Sequence, residues 1–457
     1  MDLAFSSTID LAAAIAARKI SAVEALDAHL TQIDRHSEAV NAVVNLDLEG
    51  ARERAKQADA VQARGDALGP LHGVPFTLKD MHQTADMKTT VGFAPFADYV
   101  AKADSPVVAR LKAAGGILIG KTNVATMLGD WQSDNPLFGR TSNPWNRSRT
   151  SGGSSGGAAA AVATGMTPFD VGTDMQDSIR LPSAFCGVYG LKPTEHRVSL
   201  AGAFPDPNGA ARSVRLMSCL GPLARSVEDL ALIYKIIAGP DGADTDLAPV
   251  PVEAMPRLDL KTLRIAVAPS FPGFPVAGKI AAAVESLAKR LQSAGVIVEE
   301  ANLPEIDLHD DLEQGGDLIG MMLEAAQPEP PEQPTPITNW FEALARRDRS
   351  ILAWDRFFET CDALLCPVAM TTAFAHCEPG TPIEVDGKEQ SYWMLPAYGA
   401  VFNYSGHPAL SLPCGQDRDG LPIGLQLVGK RWSESRLLGI AKAIEALTGG
   451  FKRPPGY

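Results

Sequence analysis

An α/β fold is what this sequence predicts, and three features predict it. Short apolar or β-branched runs bounded by glycine, notably 73–78 and 116–119, alternate with helix-like pieces at 105–114 and 226–238, the pattern of sheet and helix in succession. The stretch Ala158-Ala-Ala-Ala-Val-Ala-Thr164 follows a glycine run directly, and so little side chain suits a helix lying close on a sheet. With 45% hydrophobic and 21% charged residues, the chain has the composition of a globular protein.

Taken in order, the first 65 residues read as helical. Ser21-Ala-Val-Glu24 is a capping-box signature, and Val23, Leu26, Leu30 and Ile33 recur behind it at helical spacing. Strand and helix signals then alternate to about residue 300. Between Pro304 and Pro336 the composition changes: Gly315-Gly316, Met321-Met322 and the proline-rich 327–336 do not read as core, and a lid-like insertion is expected around 304–350. Order returns at 351–358, with a strand at 363–368, another at 420–428 and a closing helix over 433–447.

At 457 residues the chain accommodates one large domain or two. Its net charge of −13, without a basic run, disfavours nucleic acid or an anionic membrane as partner. Six scattered cysteines show no zinc-like spacing, and no cofactor or metal motif is present. No basic segment precedes an apolar stretch at the N-terminus and no apolar run is long enough to span a bilayer, so a cytoplasmic location is expected.

Three short stretches carry chemistry. Lys79 ends the apolar run Gly73-Val-Pro-Phe-Thr-Leu-Lys79, where burial would lower its pKa and make it a base. Gly152-Gly-Ser-Ser-Gly-Gly157 supplies Ser154 and Ser155 beside the start of the alanine-rich helix, whose dipole favours developing negative charge. Gly172-Thr-Asp-Met-Gln-Asp-Ser178 supplies a second serine, 24 positions after Ser154. If Ser178 attacks a carbonyl, the backbone amides of Met175, Gln176, Asp177 and Ser178 are candidates for the oxyanion hole, and Asp174 with Arg180 for a buried pair fixing the loop. No histidine lies in these motifs. The formal Gly-x-Ser-x-Gly of residues 152–156 leaves open an esterase that pairs Ser154 with a distant histidine such as His376 or His407.

Together these motifs resemble the amidase signature family. The likeness extends through Gly120-Lys-Thr-Asn123, Asn135-Pro-Leu-Phe-Gly139, Asn143-Pro-Trp145, Phe185-Cys-Gly187, Gly190-Leu-Lys-Pro-Thr194, Gly406-His-Pro-Ala-Leu-Ser411 and Leu421-Pro-Ile-Gly-Leu-Gln-Leu-Val428. The resemblance implies one domain over 1–457, a large twisted mixed β-sheet core covered by α-helices on both faces. It implies Ser178 as nucleophile, Ser154 as bridging serine behind a cis Gly153–Ser154 peptide, Lys79 as neutral base and Ser155 as support. The expected reaction is hydrolysis of an amide C–N bond through an acyl-enzyme, without cofactor or metal.

The family has Gly-Gly before the nucleophile, where this chain has Gln176-Asp177. Both side chains are expected to turn away from the reacting carbonyl and reshape the acyl pocket. Met127, Trp131, Met321, Tyr392 and Trp393 are candidate pocket residues, favouring small uncharged aryl or alkyl amides, anilides or carbamates (urethanes). The other function the resemblance admits is an amidotransferase A-type subunit working in a larger complex. The sequence is silent on oligomeric state.

Overall fold

The computed structural model describes residues 2–206, 212–327, 329 and 331–457. Strands β1 (Val43–Leu46), β2 (Pro75–Lys79) and β3 (Ile117–Thr122) form a small sheet in the order β1-β3-β2, with β2 and β3 parallel. The large sheet gathers β4 (Phe169–Asp174), β5 (Tyr189–Lys192), β6 (Cys219–Ala224), β7 (Arg264–Val267), β8 (Ile297–Glu300) and β9 (Ala363–Pro367). After the hairpin of β10 (Ile383–Val385) and β11 (Lys388–Gln390), β12 (Ala409–Gln416) and β13 (Pro422–Val428) complete it. Its order is β4-β6-β5-β12-β13-β9-β7-β8, parallel where β7 meets β8 and β9 and antiparallel elsewhere, a mixed sheet as expected.

The helices are α1 (Thr8–Ala16), α2 (Ala22–Val40), α3 (Leu48–Arg64), α4 (Pro106–Ala113), α5 (Gly156–Ala163) and α6 (Arg180–Cys186) in the first part. In the second are α7 (Val227–Ile237), α8 (Gly278–Ser293), α9 (Leu308–Ala325), α10 (Ile337–Phe357), α11 (Ala397–Tyr404) and α12 (Glu434–Thr448). The predicted capping box opens α2: Ser21 Oγ accepts from the Glu24 amide at 3.0 Å, and the Ser21 amide donates to Glu24 Oε2 at 2.8 Å. Alternation along β9 reveals the layering. Ala363 and Leu365 face a cluster with Leu287 and Leu291 of α8 and Leu437 and Ile444 of α12. Leu364 and Cys366 face Trp354 of α10 and Tyr398 and Phe402 of α11.

The segment 304–336 departs from its loop-like reading. Most of it is α9, capped by Asp307, whose side chain accepts from the amides of His309 and Asp310. Gly315, in a stretch that does not read as core from the sequence, lets the helix approach its neighbours: a Cβ there would lie 3.2 Å from Met217 Cε and 3.4 Å from a Tyr404 ring carbon. The proline-rich stretch is the connection to α10, which begins at Ile337 rather than near 351. A buried ion pair fastens α10 to the core, Arg347 Nη2 donating to Glu195 Oε2 at 2.8 Å and Nε to the Tyr404 carbonyl at 2.7 Å. No helix among the described residues is long and apolar enough to cross a membrane.

Candidate active site

Lys79 is carried into the interior by its own strand. All five residues of β2 are buried and Lys79 has no exposed surface, so its amine lies among protein groups alone. Nζ stands 2.7 Å from Ser154 Oγ, 2.8 Å from Thr173 Oγ1 and 3.5 Å from the Thr173 carbonyl. Burial pushes Lys79 down to about 7, against the pull of the Asp174 and Asp170 carboxylates. At neutral pH the free amine is therefore well populated, which is the condition for a base.

Asp170, which the sequence motifs do not single out, joins the two sheets at this point. Its carboxylate accepts from the Thr77 hydroxyl at 2.6 Å, the Thr122 hydroxyl at 3.1 Å and the Lys79 amide at 3.0 Å. Burial nevertheless pushes it up to about 7.

The glycine run delivers Ser154 across a cis Gly153–Ser154 peptide. Ser133 Oγ lies 3.1 Å from the Gly152 carbonyl and 3.2 Å from that of Ser154, and accepts the Gly156 amide at 2.8 Å. Ser155 couples this run to the second serine: its amide donates to the Ser178 carbonyl at 3.3 Å and its hydroxyl to the Thr173 carbonyl at 3.3 Å. Lys79, Ser154, Ser155 and the turn bearing Ser178 thus meet at the ends of β2 and β4. The chain distance between Ser154 and Ser178 is spanned by α5 and β4, out and back.

The turn carrying Ser178 is built around Asp174. Its carboxylate accepts from Arg180 Nε at 3.0 Å and Nη2 at 2.9 Å, and from the amides of Asp177 at 2.9 Å and Ile179 at 3.1 Å. Burial raises Asp174, but the guanidinium of Arg180 outweighs it and holds the carboxylate at about 2. The pair read from the sequence is present and fully buried. The Asp177 amide, expected among the oxyanion donors, is thereby occupied. Those of Met175, Gln176 and Ser178 meet no acceptor among the described residues. Asn403 closes the turn from α11, donating to the carbonyls of Asp174 and Met217, each at 3.0 Å.

Of the candidate pocket residues, Trp131 is buried beside the glycine run, where a Cβ on Gly153 would collide with the backbone of residues 130–132. Tyr392 is buried, its hydroxyl donating to Asp130 Oδ1 at 2.6 Å, and the exposed Trp393 packs edge-on against it. Met127 is exposed and adopts a left-handed backbone, φ 52°. Met321 lies apart from these, on α9, in an apolar cluster with Met217, Leu318 and Tyr404 that extends to Met175.

Neither histidine of the esterase alternative is hydrogen-bonded to Ser154: His407 Nδ1 lies 3.1 Å from the hydroxyl of its neighbour Ser405. His407 Nε2 faces Asp355 at 3.2 Å and its ring packs on Phe358, and His376 Nε2 lies 3.2 Å from the Arg147 carbonyl. No group of three or more metal-binding side chains occurs among the described residues. Besides Asp170, sequence reasoning missed Thr173, Ser133 and Asn403. Thr173 stands inside the third motif and was within reach. Asn403 lies 229 positions from Asp174 and carries no local signal.

The model of the amidase family matches residues 24–314 and 321–438. The chain is 33% identical to the A-type subunit of the glutamyl-tRNA(Gln) amidotransferase of Moorella thermoacetica, over 100% of this chain and 99% of that one. It is 32% identical to an acylamidase of Rhodococcus erythropolis, over 98% of this chain and 96% of the other. The solved structure of 6-aminohexanoate cyclic dimer hydrolase with its substrate superposes with a TM-score of 0.81 at 28% identity, covering 100% of this chain and 99% of that one. Carrying a buried lysine against a serine at the junction of its two sheets, this chain belongs to the amidase family and is an amide C–N hydrolase.

Proposed function

We propose that Ser178 is the nucleophile, Ser154 the proton relay and Lys79 the base in the hydrolysis of small uncharged aryl or alkyl amides and anilides, with carbamates (urethanes) as further substrates. The observation that carries this reading is the 2.7 Å contact between Ser154 and a buried lysine whose pKa is lowered to about 7.

Proton counting supports the order of roles. A neutral Lys79 has two N–H groups and one lone pair. Directing the N–H groups at the hydroxyl and carbonyl of Thr173 leaves the lone pair for the Ser154 proton. As Ser178 attacks the carbonyl carbon, its proton passes to Ser154 and the Ser154 proton to Lys79. The oxyanion is received by the free amides of Met175, Gln176 and Ser178. Collapse breaks the C–N bond as Ser154 gives its proton to the leaving nitrogen and recovers one from Lys79. Water, deprotonated along the same path, then cleaves the acyl ester and releases the acid.

The substrate class rests on Trp131 beside the glycine run, on Tyr392 with Trp393 packed against it, and on Met127 at an exposed, left-handed position. Helices α9 and α10 act as a cover, and shortening their connection is expected to alter substrate range. The likeness to an amidotransferase component over the full chain favours one second reading, action on glutamine within a complex. Measuring kcat/KM for 4-nitroacetanilide, an aliphatic amide, an aryl carbamate and glutamine separates the two. The first reading predicts the anilide as best substrate of the isolated chain. Turnover confined to glutamine, or requiring a co-purifying partner chain, would overturn it.

A further inference from the structure

Directly before Ser178 stands a residue that neither the motif nor the mechanism explains. Asp177 has a left-handed backbone, φ 73°, which residues bearing a Cβ adopt rarely and Asp or Asn more readily than others. Its side chain has no exposed surface, and neither carboxyl oxygen has a hydrogen-bond partner. The nearest charge is Arg180, whose Nε lies 3.3 Å from Oδ1. That guanidinium is already matched by Asp174, and its other N–H groups serve Gln426 Oε1 at 3.0 Å and Asn403 Oδ1 at 2.6 Å. Burial raises the pKa of the Asp177 carboxyl well above its ordinary value, against the pull of the Arg180 guanidinium that Asp174 already engages.

The carboxyl lies against α11 at Gly399, where an added Cβ would coincide with it. Gly399 and Asn403 are four residues apart, one above the other on the same helical face. Asn403 grips the main chain of the turn, accepting the Asp177 amide at 3.3 Å and donating to the Asp174 carbonyl at 3.0 Å. Gly399 leaves a notch for the side chain of that same residue. One helical face therefore holds both the backbone and the side chain of the residue preceding the nucleophile.

We propose that Asp177 is a positioning residue whose side chain, seated in the Gly399 notch, fixes the left-handed turn that aims Ser178. This rests on Ser178 being the nucleophile. Asp177 and Gly399 then form a matched pair. Alanine at 399 displaces the turn, whereas glycine at 177 removes the side chain that needs the notch.

The test is the rate at which a fluorophosphonate labels Ser178, followed by peptide mass spectrometry in wild type, Gly399→Ala, Asp177→Gly, Asp177→Asn and the double variant, with circular dichroism to check folding. Gly399→Ala is expected to lower the limiting labelling rate by about 10²-fold with little change in half-saturating reagent, since a misplacement of about 1 Å costs that much. The double variant is expected to return to within about tenfold of Asp177→Gly alone, the signature of direct coupling. Asp177→Asn, neutral and of the same shape, is expected to retain most of the rate. Should Gly399→Ala not fold, folding and labelling of the double variant would establish the pairing, and an unfolded double variant would overturn it. Equal labelling of wild type and Gly399→Ala, or a double variant no better than Gly399→Ala, overturns the inference while leaving Ser178 as nucleophile. A wild-type adduct elsewhere than Ser178 overturns both.

Discussion

Burial lowers the pKa of Lys79 to about 7, so a modest rise in pH exchanges a spent base for a working one. Since the neutral form is the competent one, kcat/KM is expected to rise with pH through about 7 and to level off above it, as a pH–rate profile on any turned-over anilide would record. Lys79→Ala should lose about 10²–10⁴-fold in kcat, the usual share of a positioned acid–base group. Thr173 orients that amine through contacts of 2.8 and 3.5 Å. Thr173→Val should therefore lower kcat by about tenfold, the equivalent of one hydrogen bond, with little effect on KM. The Lys79–Ser154 contact of 2.7 Å was legible because each residue closes or interrupts a distinctive local run. Asp170 was not, because its importance comes from uniting two sheets, which no neighbouring residue announces.

Among the elements, the turn from β4 into α6 is the one held most tightly, and Asp174 is its centre. Asp174→Asn would leave the Arg180 guanidinium buried without its matching charge, a loss of about 3–5 kcal/mol, visible as a lower urea midpoint at pH 7. Because the native carboxylate is held at about 2, below its unfolded value, its contribution is complete above about pH 4. It is lost as pH falls through about 2, so the gap between wild type and variant should close in acid. Helices α9 and α10 were the least legible elements. Paired glycines and nearby prolines outweighed a real signal, Asp307 as cap followed by Leu308, Asp311, Gly315, Leu318 and Met322 on the buried face. Gly315 looks out of place in a core only until Met217 and Tyr404 are seen against it. Arg347→Ala, which removes the ion pair to Glu195, should loosen α10 from the core and speed limited proteolysis between the two helices.

At the scale of the whole molecule, the α/β class followed from alternating runs, but the strand order did not. β9 inserts between β13 and β7, and β5 between β6 and β12, pairings set by layers of helices packing on both faces rather than by proximity in sequence. The same layers bring residues hundreds of positions apart to one site: Asn403 from α11 and Gln426 from β13 meet Arg180. On the mechanism proposed above, the whole assembly serves to lower the barrier for one serine through another serine and a neutral lysine. The most direct test is the pH dependence of fluorophosphonate labelling, with the adduct mapped by mass spectrometry in wild type and Lys79→Ala. A single adduct on Ser178, forming faster as pH rises through about 7 and slowed at least about 10²-fold in Lys79→Ala, is the predicted result. An adduct on Ser154, or labelling of Ser178 indifferent to both pH and Lys79, would contradict it.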